Sequence, residues 1–306
     1  TGAFAMDNTH ADKIVGMVEG MPKISGDIEI FASYIDQDGF DNTDGIMDDV
    51  DSSIAISHET MISEETTAYA SIEYVYNSTQ SGSHLELDSA VIGFKGGFGD
   101  ISLGTQDSVY EDVDIIDFSE NLGGVVGGDL LDASESHTIN YSSPSIEDML
   151  TIHASIQTAE KADDTTTELD NIGALVVSYE QDNLAVNLGY GINDVADDVI
   201  GLSAAYSMDD LTLTAQYEMA GESASGAKDG VDFYGVLATY VMDANTFNFG
   251  IMVSDPETGD ETTGISGNVI HSLAENVYVY AEASFQSSDT DANEMDMYNI
   301  GATYSF

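Results

Sequence analysis

Residues 97–136 read GFGDISLGTQDSVYEDVDIIDFSENLGGVVGGDLLDASES. The stretch begins as a short alternating strand, Phe98 to Gly104, and continues over about 105–135 with no turn-and-return pattern. It carries seven Asp, three Glu and no Lys or Arg. A long structureless loop inside a compact domain is uncommon and usually functional. The flanking sequence on both sides is short strands of even length joined by tight turns. A closed barrel of such strands has an interior, and the one long acidic loop is the segment to fold into it.

Outward from that stretch, the period is two almost everywhere from Ile24 to Phe306. The first strand sets Ile28, Ile30, Ala32 and Tyr34 against Asp27, Glu29, Phe31 and Ser33. An acidic loop, DQDGFDNTDGIMDDVD, separates it from a second strand at about 51–58. Farther on, Leu150, Ile152, Ala154 and Ile156 alternate with Thr151, His153, Ser155 and Gln157. Leu211, Leu213, Ala215, Tyr217 and Met219 alternate with Thr212, Thr214, Gln216 and Glu218. Val277, Val279, Ala281, Ala283 and Phe285 alternate with Tyr278, Tyr280, Glu282, Ser284 and Gln286. The count is sixteen strands, with short turns alternating with longer polar loops, as tight turns on one rim and long loops on the other require. Aromatics near strand ends (Tyr34, Tyr76, Tyr141, Tyr179, Tyr190, Tyr240, Tyr304, Phe306) read as interfacial girdles. Residues 1–23 are an extension: Thr9 and Asp12 resemble a capping box, and Ile14, Val15, Val18 and Met21 fall at helical spacing.

A sheet that spans lipid must close, because every backbone donor and acceptor must be paired within the protein. Closure also removes edges, where soluble sheets place Lys and Pro, and these strands contain almost neither. The hydrophilic face of Ser, Thr, Asn, Gln and Glu suits a wet lumen better than a dry core. The expectation is an all-β, 16-stranded antiparallel transmembrane barrel over 24–306, with a long inward-folded constriction loop after its fifth strand. A soluble acidic β-sandwich or propeller is the competing class.

Composition narrows the function. There are 57 acids, five lysines and no arginine, for a net charge of −52. That excludes nucleic acid as a partner, because phosphate binding needs a basic patch, and makes cations the natural mobile partners. The same acidity fits life in a salty medium, where salt screens self-repulsion. With no cysteine, thiolate metal sites and disulfides are excluded. No stretch approaches the ~20 apolar residues of a transmembrane helix. Thr1 is taken as the start of a processed chain.

GGFGDISLGTQDS, the acidic loop, Gly127-Gly128-Asp129 near its end and the terminal strand closing on Phe306 resemble the general bacterial porins. The likeness covers about 24–306. It implies a trimeric barrel in the outer membrane of a Gram-negative bacterium, among outer-membrane lipid and lipopolysaccharide. It also implies a loop that folds in and narrows the pore, a last Phe read by the assembly machinery, and a trimer contact near the two termini. Two departures stand out. Thr105 occupies a position where the family usually has arginine, and 23 residues precede the first strand.

Rings of side-chain charge give pores their ion selectivity. The constriction candidates are Asp107, Glu111, Asp112, Asp114, Asp117, Glu120 and Asp129, with Glu29, Glu73, Lys95, Glu218 and Glu282 on the lumen wall. The expected function is passive diffusion of ions and small hydrophilic solutes with cation selectivity. Tyr278, Tyr280 and Phe31 have the parity for an aromatic slide, which would make the alternative a sugar-specific channel. Ca²⁺ at the acidic loops is a weaker expectation. FDNTDGIMDDVD is no EF-hand, since Phe40 would be its first ligand. Catalysis has little support: the six histidines are scattered, and no HExxH, GxSxG, GxGxxG or P-loop occurs.

Overall fold

A computed structural model describes residues 20–37, 43–49, 52–79, 85–116, 130–131, 136–158, 171–193, 198–221, 230–289 and 294–306. The expected helix in the N-terminal extension lies outside the described residues, as do Asp117, Glu120 and Asp129.

The chain forms β1 (Lys23–Gln37), β2 (Thr43–Asp48), β3 (Ser53–Ser63), β4 (Thr66–Tyr76), β5 (Leu85–Gly96) and β6 (Gly99–Thr105). After the long loop come β7 (Thr138–Ser142), β8 (Leu150–Gln157), β9 (Ile172–Gln181), β10 (Leu184–Asn193), β11 (Val199–Met208) and β12 (Leu211–Ala220). The sheet ends with β13 (Val231–Met242), β14 (Asn245–Pro256), β15 (Thr262–Ala274), β16 (Val277–Ser288) and β17 (Met295–Ser305). Apart from β2 and β3, which both pair with β1, each strand pairs antiparallel with its sequence neighbour, and β17 pairs with β1 from Asp27↔Ser305 to Gln37↔Met295, so the described strands close into a barrel.

Among the described residues seventeen strands fill sixteen barrel positions because one position is broken. The first half of β1 pairs with β3 and the second half with β2. The acidic segment read as loop therefore contains β2, and the strand expected at 51–58 starts at Ser53. The break is held by its own carboxylates. Asp49 is fully buried; its Oδ1 accepts from Ser52 N at 3.0 Å and its Oδ2 from Ser78 N at 2.6 Å. Asp48 Oδ1 accepts from Asn77 Nδ2 at 3.1 Å. A buried carboxylate is tolerable when donors meet it in this way.

The alternation sorts as a membrane barrel requires. Ile30, Leu188, Leu202, Val236, Phe249 and Ile300 are exposed on the outer wall, while Ser203, Gln216, Glu218, Asn268, Glu282 and Asn299 are buried on the inner one. Of the aromatics assigned to girdles, Tyr34, Tyr141, Tyr190, Tyr240, Tyr304 and Phe306 are exposed outside. Tyr76 is half-buried, and its hydroxyl donates to Asp27 O at 3.3 Å. The main apolar core is inside the barrel, where the long loop meets the wall.

Candidate functional site

The long loop enters from β6 and folds against β8 to β14. Ser108 caps a single 3-10 turn, Val109–Asp112, by accepting from Tyr110 N at 3.2 Å. The Ser108 hydroxyl also shares a hydrogen bond with that of Ser155 at 2.9 Å, tying the turn to β8. Val109, Tyr110, Val113 and Leu131 pack with Ala174 and Val176 of β9, Val199 of β11 and Ala220 of β12. Ile116 packs with Phe233, Leu237 and Met252 of β13 and β14. Full burial of side chains this size is worth about 1.5–3 kcal/mol each, so the loop is held as firmly as an ordinary core element.

Glycines on the inner wall make the fit. A Cβ on Gly201 would lie 2.5 Å from Val113 Cγ1, and one on Gly189 would lie 2.5 Å from Val113 Cγ2. Glycine inside a strand often marks such a close approach.

Polar clamps complete the docking. Gln216 Oε1 accepts from Ile115 N at 2.8 Å, and Gln216 Nε2 donates to Asp114 Oδ1 at 3.0 Å and to Glu218 Oε1 at 2.8 Å. Glu218 Oε2 accepts from Leu130 N at 3.3 Å. Glu218 therefore touches the far end of the loop while its neighbour Gln216 holds the near end. Asn187 Nδ2 donates to Asp112 O at 2.6 Å, and Asn140 Nδ2 to Asp107 O at 2.8 Å.

Among the sequence candidates, Asp107 and Glu111 are exposed on the loop, Asp112 is half open, its side chain 48% exposed and its inner side facing His153, and Asp114 is turned to the wall by Gln216. Glu29, Glu218 and Glu282 are buried on the inner face, with Asn299 Nδ2 donating to Glu282 Oε1 at 3.0 Å. Glu73 is half-buried and acts electrostatically on Asp27 and on Asp88, which Asp107 also faces. Asp27 thus adds to the acidic charge of the wall, and Asp88 to the charge between wall and loop; the sequence reading missed both as site residues, and their strand parity was the available signal. Lys95 lies near the short-turn rim, 2.8 Å from Glu59 and 5.6 Å from the Tyr69 ring centroid. Its charge is spoken for by Glu59.

Phe31, Gly301 and Tyr280 stand in one cross-strand row, with the Tyr280 ring over Gly301. Tyr280 is 3 % exposed and Phe31 8 %, so neither offers an open ring face.

Beneath the 3-10 turn, His153 Nδ1 lies 2.8 Å from Ser142 Oγ and 3.7 Å from Asp112 Oδ2. The residue types are those of a catalytic triad, but the wiring is not. In a triad the nucleophile and the carboxylate meet opposite ring nitrogens, whereas here both meet Nδ1. The cluster is a latch between β7, β8 and the loop. Burial pushes the Asp112 carboxyl above its ordinary range, and the His153 charge pulls against that shift. Among the described residues no group of three or more His, Asp or Glu is arranged to hold a metal ion.

A family model described as Gram-negative porin matches residues 8–291. A protein named monosaccharide porin from a Halomonas species is 23% identical, the alignment covering 100% of this chain and 97% of that one. The anion-selective porin from Comamonas acidovorans superposes with a TM-score of 0.81 at 14% identity, covering 93% of this chain and 99% of the other. The trimer form of OmpT from Vibrio cholerae superposes at 0.73 with 18% identity, covering 94% and 100%. At these identities the structural matches establish the fold alone.

Proposed function

The chain belongs to the Gram-negative porin family and is an outer-membrane porin rather than an enzyme, and from that premise we propose that its pore passes small hydrophilic solutes by passive diffusion and prefers cations. The observation that carries the preference is the charge inside the barrel. Asp27, Asp88, Asp107, Glu111 and Asp112 line the loop and the inner wall, while the described lysines are Lys23 and Lys95, the latter paired with Glu59. Fixed charge of one sign in a narrow aqueous passage concentrates the opposite ion. The working form is a homotrimer set in outer-membrane lipid and lipopolysaccharide, in keeping with the trimer form of the Vibrio OmpT match.

Reversal potentials across planar bilayers in a salt gradient test the reading. Cation preference is expected, and an anion-selective or unselective channel overturns it. A sugar channel is the second reading, favoured by the name of the Halomonas relative. The burial of Phe31 and Tyr280 weighs against it. Dose-dependent block of the ion current by one monosaccharide would reverse that judgement.

A further inference from the structure

The outer wall over β10 to β14 is not smooth. Ala204 and Ala215 face each other across β11 and β12, and Ala238 lies one tier nearer the turns, opposite Leu213. Taller side chains stand around these three: Leu184, Tyr206, Leu213, Val236, Phe249 and Ile251. Together they form an oblique apolar trough of about 430 Å³ on the membrane-facing side.

Two observations say what fills it. First, the trough lies toward the short turns Asp182-Asn183, Asp209-Asp210 and Asp243-Ala244, beginning at Leu184, the first residue of β10. In barrels of this kind the short turns are periplasmic, so the trough faces the periplasmic leaflet. Secondly, those turns carry exposed Asp182, Asp209, Asp210 and Asp243, and the described lysines, Lys23 and Lys95, lie on other strands. An anionic headgroup would meet only like charge there, whereas an ammonium group would meet several carboxylates.

We propose that this trough seats an acyl chain of an amine-headed phospholipid of the periplasmic leaflet, its ammonium group held by the aspartates of the adjoining turns. The site needs only the outer-membrane location and is independent of ion selectivity. The side chains named above stand on the outer wall, and neither Ala204 nor Ala215 belongs to the surface that receives the constriction loop.

The test is native mass spectrometry of detergent-extracted protein mixed with phosphatidylethanolamine or phosphatidylglycerol of identical chains. The expected result is one phosphatidylethanolamine retained per protomer, at least tenfold over phosphatidylglycerol. Filling the trough with A204L/A215L should abolish retention while leaving the heat-modifiable gel mobility and the single-channel conductance unchanged. The surface variant D209N/D210N/D243N should still retain a lipid but lose the preference between headgroups. Equal retention of the two lipids by the wild type overturns the proposal, as does undiminished retention by the filled variant. If the filled variant does not fold, the turn variant decides, and an unaltered headgroup preference there overturns it. A second copy of the chain covering the trough would appear as dimers cross-linked through A215C with no retained lipid, which also overturns it.

Discussion

Glu218 is fully buried with both carboxylate oxygens engaged, one by Gln216 and the other by the backbone of Leu130. Hydrogen bonds to charged groups contribute about 1.5–3 kcal/mol, so Glu218→Ala should loosen the far end of the loop. The expected readout is larger and noisier single-channel current with little loss of barrel stability, since no strand pairing is touched; quiet wild-type current from E218A would refute this role. Asp112 makes a different case. Its carboxyl is raised chiefly by burial, so the folded chain binds that proton more readily than the unfolded chain does. Ionising it at neutral pH therefore costs stability, and the cost begins to fall as the pH drops through the raised value and is gone below the ordinary one. Its share of cation selectivity should fade above the ordinary carboxylate range of about 4. Reversal potentials measured from pH 7 to 4 should show this early decline in the wild type and not in D112N, and D112N should be no less stable at pH 7.

At the scale of the element, the constriction loop is a docked element with its own apolar core, and the wall is shaped to receive it. Gly201→Val would drive methyls into Val113 and Tyr110. Val113 is branched at Cβ and held on both sides, so the loop must shift. Overpacking of this kind typically costs 1–3 kcal/mol. The expected outcome is altered conductance with retained barrel assembly, checked by single-channel recording beside the heat shift on gels. The receiving surface left a trace in the sequence. β9, IGALVVSYEQ, is apolar on both faces, unlike the cleanly alternating β12, and inner glycines punctuate β10, β11 and β13. Those signals separate a dry patch of inner wall from a wet one. The two-part second barrel position left less. TDGIMD alternates poorly and is rich in turn residues, and it becomes β2 because β1 offers it an unpaired half-edge.

For the molecule as a whole, a net charge of −52 stores self-repulsion that salt screens within about 10 Å at 0.1 M. Unfolding temperature in detergent should rise between 0.05 and 1 M NaCl, on the order of one to two degrees for each kcal/mol recovered in a chain of this length; calorimetry or a thermal CD scan checks it, and a flat response would mean the charges are already neutralised. Closure and facing were legible beforehand because they follow from a local rule. Period-two alternation assigns each side chain to a face, and in lipid the oily face must point out and the backbone must pair fully. The docking of the loop was not legible to the same depth, because it rests on partners far apart in the chain. Ile115 meets Gln216 across 101 positions, and Leu130 meets Glu218 across 88. Alternation could mark Gln216 and Glu218 as inward, but not that both would be spent on holding the loop, nor that Asp114 would face the wall while Asp107, Glu111 and Asp112 stay exposed. Which carboxylates remain free to meet an ion depends on which donors the folded wall brings to them.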